Sequence, residues 1–131
     1  SLDASAVPSP LAKALFVSEL ETLEQVRKFL EVRGWAEYYE LIFSSSHLLE
    51  MTARGANKGS AALRLKELLG CRQLFCVGDH CNDLPMLAAA DRAFAPANAV
   101  PEVLASGASV VCHCLEGSVG AVVERLEQDL A

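Results

Sequence analysis

The chain is short of several things, and each shortage closes off a class of function. Basic residues are outnumbered, 11 Lys and Arg against 17 Asp and Glu, for a net charge of -6. A phosphate-backbone partner needs a basic face, so nucleic-acid binding is not expected. No apolar run reaches the roughly eighteen residues of a membrane span, and no charged-then-apolar leader opens the sequence. The expectation is a cytoplasmic protein without a membrane partner. The five cysteines are an odd number with no paired framework, which reads as reduced thiols. Cys112-His113-Cys114 lacks the second ligand pair that a zinc finger spacing would supply. Apolar material, by contrast, is ample: 131 residues at 52% hydrophobic suffice for one ordinary domain with a core.

Strand and helix signals alternate along the chain. Lys13 to Ser18 reads as a short apolar strand, and Ser18 with Glu21 stands at capping-box spacing for a helix whose apolar face is Leu23, Val26, Phe29 and Leu30. Gly34 stops that helix. Tyr38 to Ser44 and Leu48 to Ala53 then read as two strands joined by a serine-rich turn. Beyond a boundary expected near Ala53, a helix from Lys58 to Leu69 ends at Gly70, and a strand runs from Leu74 to Val77. Pro85 falls in the first turn of a further helix. A strand surrounds Phe94, Pro101 opens a short helix ended by Gly107, and Val110 and Val111 make a last strand. Val119, Val122, Val123, Leu126 and Leu130 stripe a final helix as core positions. The fold class is α/β, divided into segments 1–53 and 54–131.

The most informative stretch is Leu74-Phe75-Cys76-Val77-Gly78-Asp79-His80-Cys81-Asn82-Asp83, where an apolar strand ends at a glycine and two carboxylates four positions apart follow. In an open α/β sheet, ligands bind beyond the carboxyl ends of the parallel strands, which puts Asp79 at the mouth of that crevice. Magnesium takes a few oxygen ligands, keeps several waters and bridges to substrate phosphate, so Asp79 and Asp83 are the candidate metal ligands. His80 and Cys81 are left out because magnesium prefers oxygen. Taken alone, the pattern is an ordinary turn, since Asp and Asn favour turns and helix caps. Lys58, about twenty residues upstream at the start of a helix, shifts the weight toward a phosphate site. An ammonium beside carboxylates and a metal offsets phosphate charge in a transition state.

Three blocks, Lys58-Gly59-Ser60-Ala61-Ala62-Leu63, Val77 to Leu87, and Ala97-Asn98-Ala99-Val100-Pro101-Glu102-Val103, resemble the haloacid dehalogenase superfamily, specifically its Cof-type phosphatases. They come in that family's order and spacing across roughly residues 48 to 126. The resemblance implies that Lys58 contacts the phosphate and the aspartyl nucleophile, that Asp79 binds magnesium, and that Asp83 acts on the metal or its water shell. It also implies phosphate contact by Asn82 and a place near the active-site rim for Asn98. Segment 1–53 would be the closing part of an α/β cap, and 54–131 the C-terminal half of a Rossmann-like parallel core. The departures are equally specific. No DxD pair exists to supply the nucleophile, Asp3 has no strand before it, and Ser44, Ser45 and Ser46 sit too late for the family's second motif.

Two functions are therefore carried forward. One is a magnesium-dependent phosphatase of small phosphorylated metabolites such as sugar phosphates, working through an aspartyl-phosphate whose nucleophile lies outside this chain. The other is a noncatalytic phosphate- or metal-binding domain, or a regulatory one. On either reading, the expected partners are the missing N-terminal part of the same protein, or a second copy meeting an exposed sheet edge, and the chain alone is expected to be inactive. The sequence does not reveal the substrate.

Overall fold

A computed structural model describes residues 12–130 of the chain. The chain forms two compact units that divide between Gly55 and Ala56. Asp3 lies outside the described residues.

The first unit is an antiparallel sheet with one helix. Strand β1 (Lys13–Val17), helix α1 (Leu20–Val32), strand β2 (Tyr39–Ser45) and strand β3 (Leu48–Ala53) follow in order, and the sheet order is β1-β3-β2. Leu49 on the central strand pairs with Phe16 on one side and Phe43 on the other, and it is fully buried together with Leu23 of α1. Two features depart from the sequence reading. Ser18 does not cap α1: its N–H donates to His47 O at 3.3 Å, so the chain is still extended there. Glu19 takes the cap position without a side-chain bond. Phe29 is exposed rather than part of the packed face, and the Arg33 guanidinium lies 4.9 Å from its ring centre. Gly34 ends the helix as expected, at φ 78°, where a side chain would be strained.

The second unit is a parallel sheet with helices. Helix α2 (Lys58–Leu69) leads to strand β4 (Phe75–Val77), helix α3 (Leu84–Ala89), strand β5 (Arg92–Pro96), helix α4 (Pro101–Leu104), strand β6 (Ser109–Val111) and helix α5 (Ser118–Leu130). The order is β4-β5-β6, all parallel. Central β5 is flanked on both sides, and its Phe94 and Ala95 are fully buried, the apolar run a parallel strand needs. Burying Phe94 contributes on the order of 2–3 kcal/mol. Cys76, Leu87, Ala95, Ala99, Val103 and Ala108 complete the core.

The final helix is less covered than its stripe predicts. Val122 is buried, but Val119 and Val123 are 65% and 49% exposed. On α2 the leucines 63, 65, 68 and 69 are all exposed, and only Gly59 is buried. Among the described residues, β4 has a strand on one side only.

Candidate active site

Asn57 fixes where α2 begins. Its side-chain oxygen accepts the Ser60 N–H at 3.0 Å, and the Ser60 hydroxyl accepts the Asn57 N–H at 3.3 Å. This reciprocal cap is worth about 1 kcal/mol. It also makes Lys58 the first helical residue, an unfavourable place for a cation because the helix dipole is positive there. Asp83 offsets that cost: Lys58 Nζ donates to its Oδ1. Lys58 keeps half its side-chain surface open, and an ammonium has three donors, so two remain for a ligand.

Asp83 is buried, with 6% of its side chain exposed. Its other oxygen, Oδ2, accepts the N–H groups of Asp79 at 3.0 Å and His80 at 3.1 Å. Burial alone would push this carboxyl up, but the bond from Lys58 and the two backbone N–H groups outweigh it and hold it below the usual carboxylate range. Gly78 permits the closure, because a Cβ there would lie 2.5 Å from Asp83 Cβ. Gly59 plays the matching part between helices: its Cβ would lie 2.4 Å from the Pro85 carbonyl oxygen in the first turn of α3. Both glycines mark close approaches that the sequence reading passed over.

These parts converge on a cavity of about 480 Å³, within the range of small-molecule sites. It is lined by Lys58, Val77, Gly78, Asp79, Asp83, Met86, Pro96, Cys114 and Ser118. Val77 and Pro96 end β4 and β5, so the cavity lies beyond the carboxyl ends of the parallel strands, where ligands bind in such sheets. The structure thus brings Lys58, Asp79 and Asp83 together. Asn82 and Asn98 are not among the lining residues. The Asn82 side-chain oxygen is buried without a hydrogen-bond partner, whereas Asn98 Oδ1 accepts the Cys114 N–H at 2.9 Å and ties the loops after β5 and β6 together.

The donor set suits a hard divalent cation only in part. Asp79 is exposed, and among the described residues its carboxylate has no hydrogen-bond partner. Both Asp83 oxygens are engaged, and no group of three His, Cys, Asp or Glu side chains among the described residues is placed to hold a metal. Of the two acids lining the cavity among the described residues, Asp79 is the one whose carboxylate is open to a ligand.

A family model described as haloacid dehalogenase-like hydrolase matches residues 3–122. The chain belongs to the haloacid dehalogenase-like hydrolases. YxeH of Bacillus subtilis is 37% identical over 96 residues, covering 72% of this chain and 35% of that protein. A protein named HMP-PP phosphatase in Citrobacter koseri is 32% identical over 123 residues, 90% of this chain and 45% of its own length. Among solved structures, a haloacid dehalogenase-like hydrolase from Bacillus subtilis superimposes with a TM-score of 0.79 at 31% identity, covering 88% of this chain and 40% of that one. One from Bacteroides thetaiotaomicron gives 0.75 at 26%, covering 93% and 46%. The chain spans less than half the length of each of these relatives.

Cys114, weighed in the sequence only as a zinc ligand, lines the cavity, and so does Ser118, which the sequence did not single out. Ser118 had one usable signal, since a serine directly after Gly117 at the start of an apolar-striped helix is a helix-opening pattern.

Proposed function

We propose that the protein of which this chain is part is a magnesium-dependent phosphatase of small phosphorylated metabolites, sugar phosphates among them. The observation that carries this reading is the meeting of Lys58 and Asp79 in one cavity beyond the strand ends. Relatives named as phosphatases support it. Lys58 would donate to the phosphate oxygens as negative charge builds on them, while Asp83 holds its ammonium in place. Asp79 would hold the cation, which when bound neutralises phosphate charge. The attacking aspartate would come from outside this chain, because no DxD pair stands in its sequence and, among the described residues, Asp79 and Asp83 are the only acids lining the cavity.

With a single free carboxylate, magnesium binding should be weak, at a millimolar dissociation constant or poorer, which is about 4 kcal/mol or less. A noncatalytic phosphate-binding domain is the alternative reading, favoured by the complete engagement of Asp83. Segment 1–53 is assigned to a cap and 54–131 to the core. The open edge of β4 borders an apolar groove of about 420 Å³ lined by Leu65, Leu69, Leu74, Phe75 and neighbours. We assign this edge to a strand from the N-terminal part of the longer protein, or otherwise to a second copy.

The test is hydrolysis of an aryl phosphate with magnesium by the 131-residue chain, alone and mixed with the N-terminal part of its own longer protein. No turnover alone and turnover on mixing is the expected result. Turnover by the chain alone would remove the external nucleophile, and a mixture that stays inactive would favour the noncatalytic reading.

A further inference from the structure

The turn between β5 and α4 is bonded to the loops on both sides of it. Ala97 N–H donates to Cys112 O at 3.3 Å, and Val100 N–H donates to Asp79 O at 2.9 Å. The backbone of Asp79 is thereby held at both ends, because its own N–H goes to Asp83 Oδ2 at 3.0 Å. The loop after β6 closes largely on itself. The N–H groups of Glu116 and Gly117 donate to His113 O and Cys114 O, that of His113 to the Glu116 carboxylate, and that of Leu115 to the His113 ring. The Cys114 N–H is the exception: it leaves the loop for Asn98 Oδ1 at 2.9 Å, so a side-chain oxygen takes the place of a backbone carbonyl. Asparagine also serves turns by tolerating left-handed backbone, but among the described residues only glycines have positive φ. At this position the amide is what matters.

The loop that Asn98 holds supplies Cys114 to the cavity, and Ser118 follows directly after it. Asn98 itself is exposed and is not among the lining residues. We propose that Asn98 is a positioning residue: its side-chain oxygen fixes the Cys114 and Ser118 wall relative to the loop that carries Asp79, and it serves phosphate only through that wall. Loss of this one bond frees one side of the cavity while Val100 still holds the other. Misplacing a group by about 1 Å can cost as much as about a hundredfold in rate. This rests on the reading of the cavity as a phosphatase site.

Two substitutions separate this role from direct phosphate binding, since Asn98→Asp keeps the acceptor oxygen and Asn98→Ala removes it. In the 131-residue chain, hydrogen exchange at the Cys114 amide should quicken about fivefold or more in Asn98→Ala and return to the native rate or slower in Asn98→Asp. The NMR signals of Phe94 and Val122 should stay in place in both. In the longer protein carrying this chain, kcat/KM for aryl phosphate with saturating magnesium should fall about tenfold in Asn98→Ala, and Asn98→Asp should recover most of the loss. If Asn98 held phosphate through its own NH₂, the order would reverse, because a carboxylate repels phosphate. Native exchange in Asn98→Ala, an unchanged kcat/KM despite faster exchange, or Asn98→Asp as the poorer enzyme would each overturn the proposal. Should Asn98→Ala lose the core signals, Asn98→Asp decides by itself: a native or slower Cys114 exchange supports the brace, and a faster one overturns it. A longer protein that shows no turnover before any substitution sinks the phosphatase reading and the role of Asn98 with it, whereas a wrong order of variants in an active protein sinks the role of Asn98 alone.

Discussion

Replacing Asp83 by Asn tests how the loop after β4 is held, because Asn has the same shape and lacks only the charge. In the native loop Oδ1 faces the Lys58 ammonium and Oδ2 accepts two N–H groups at 3.0 and 3.1 Å. The amide must point its NH₂ either at the ammonium or at the two N–H groups, so one side always sets donor against donor. Bonds to a charged group are worth about 1.5–3 kcal/mol against about 1 for neutral pairs, and a buried donor left unmet adds its own penalty. Asp83→Asn should therefore cost about 3 kcal/mol. The only tryptophan, Trp35, lies in the first unit, so its fluorescence reports the wrong half. Urea titrations should instead follow the NMR signals of Phe94 and Ala95. The sign with pH is fixed by the lowered Asp83 carboxyl: its stabilisation is fully present above the ordinary value of about 3.9 and is lost as pH falls through the lower folded value. The gap between native chain and variant should accordingly be full at neutral pH and close on acidification below about pH 4. A gap under about 0.5 kcal/mol at neutral pH, the level of an ordinary surface change, or one that persists in acid, would refute this account.

Three further outcomes follow from the same geometry. Gly59→Ala forces a methyl against the Pro85 carbonyl and should destabilise the second unit by about 1–3 kcal/mol in the same urea assay, whereas a neutral effect would mean that α2 and α3 separate easily. Asp79→Asn should abolish the weak calorimetric magnesium signal, and equal binding by the two proteins would remove Asp79 from the site. The chain should self-associate in size-exclusion chromatography through the β4 edge and its apolar groove, and Leu65→Lys, at a position already 56% exposed, should shift it toward monomer; a clean monomer for the native chain counts against the exposed edge.

What could be seen in the sequence was whatever depends on neighbours along the chain. Helix α2 runs from Lys58 to Leu69, as its pattern predicts, because the Asn57 cap and Gly70 stop are local signals. The parallel strands lie where the apolar runs ended at Gly78 and around Phe94. What depends on partners distant in sequence was hidden. The periodicity of Val119 and Val123 announces a packed face, but no described element covers it. Nothing in the spacing of the two acids in the loop after β4 says which of them is buried. Backbone direction separates them, sending Asp83 inward to two N–H groups and Lys58 and leaving Asp79 open. Asn98 is bound to the Cys114 backbone because β5 and β6 are adjacent, a fact that no spacing within the motif encodes.

The central claim is that Lys58 acts on phosphate, and the turnover of Lys58→Ala in the longer protein carrying this chain addresses it most directly. Aryl phosphate hydrolysis with saturating magnesium should fall about a hundredfold or more, the usual loss when one electrostatic stabiliser of a transition state is removed, while the β4–β5 NMR signals persist. Near-normal turnover would contradict the claim.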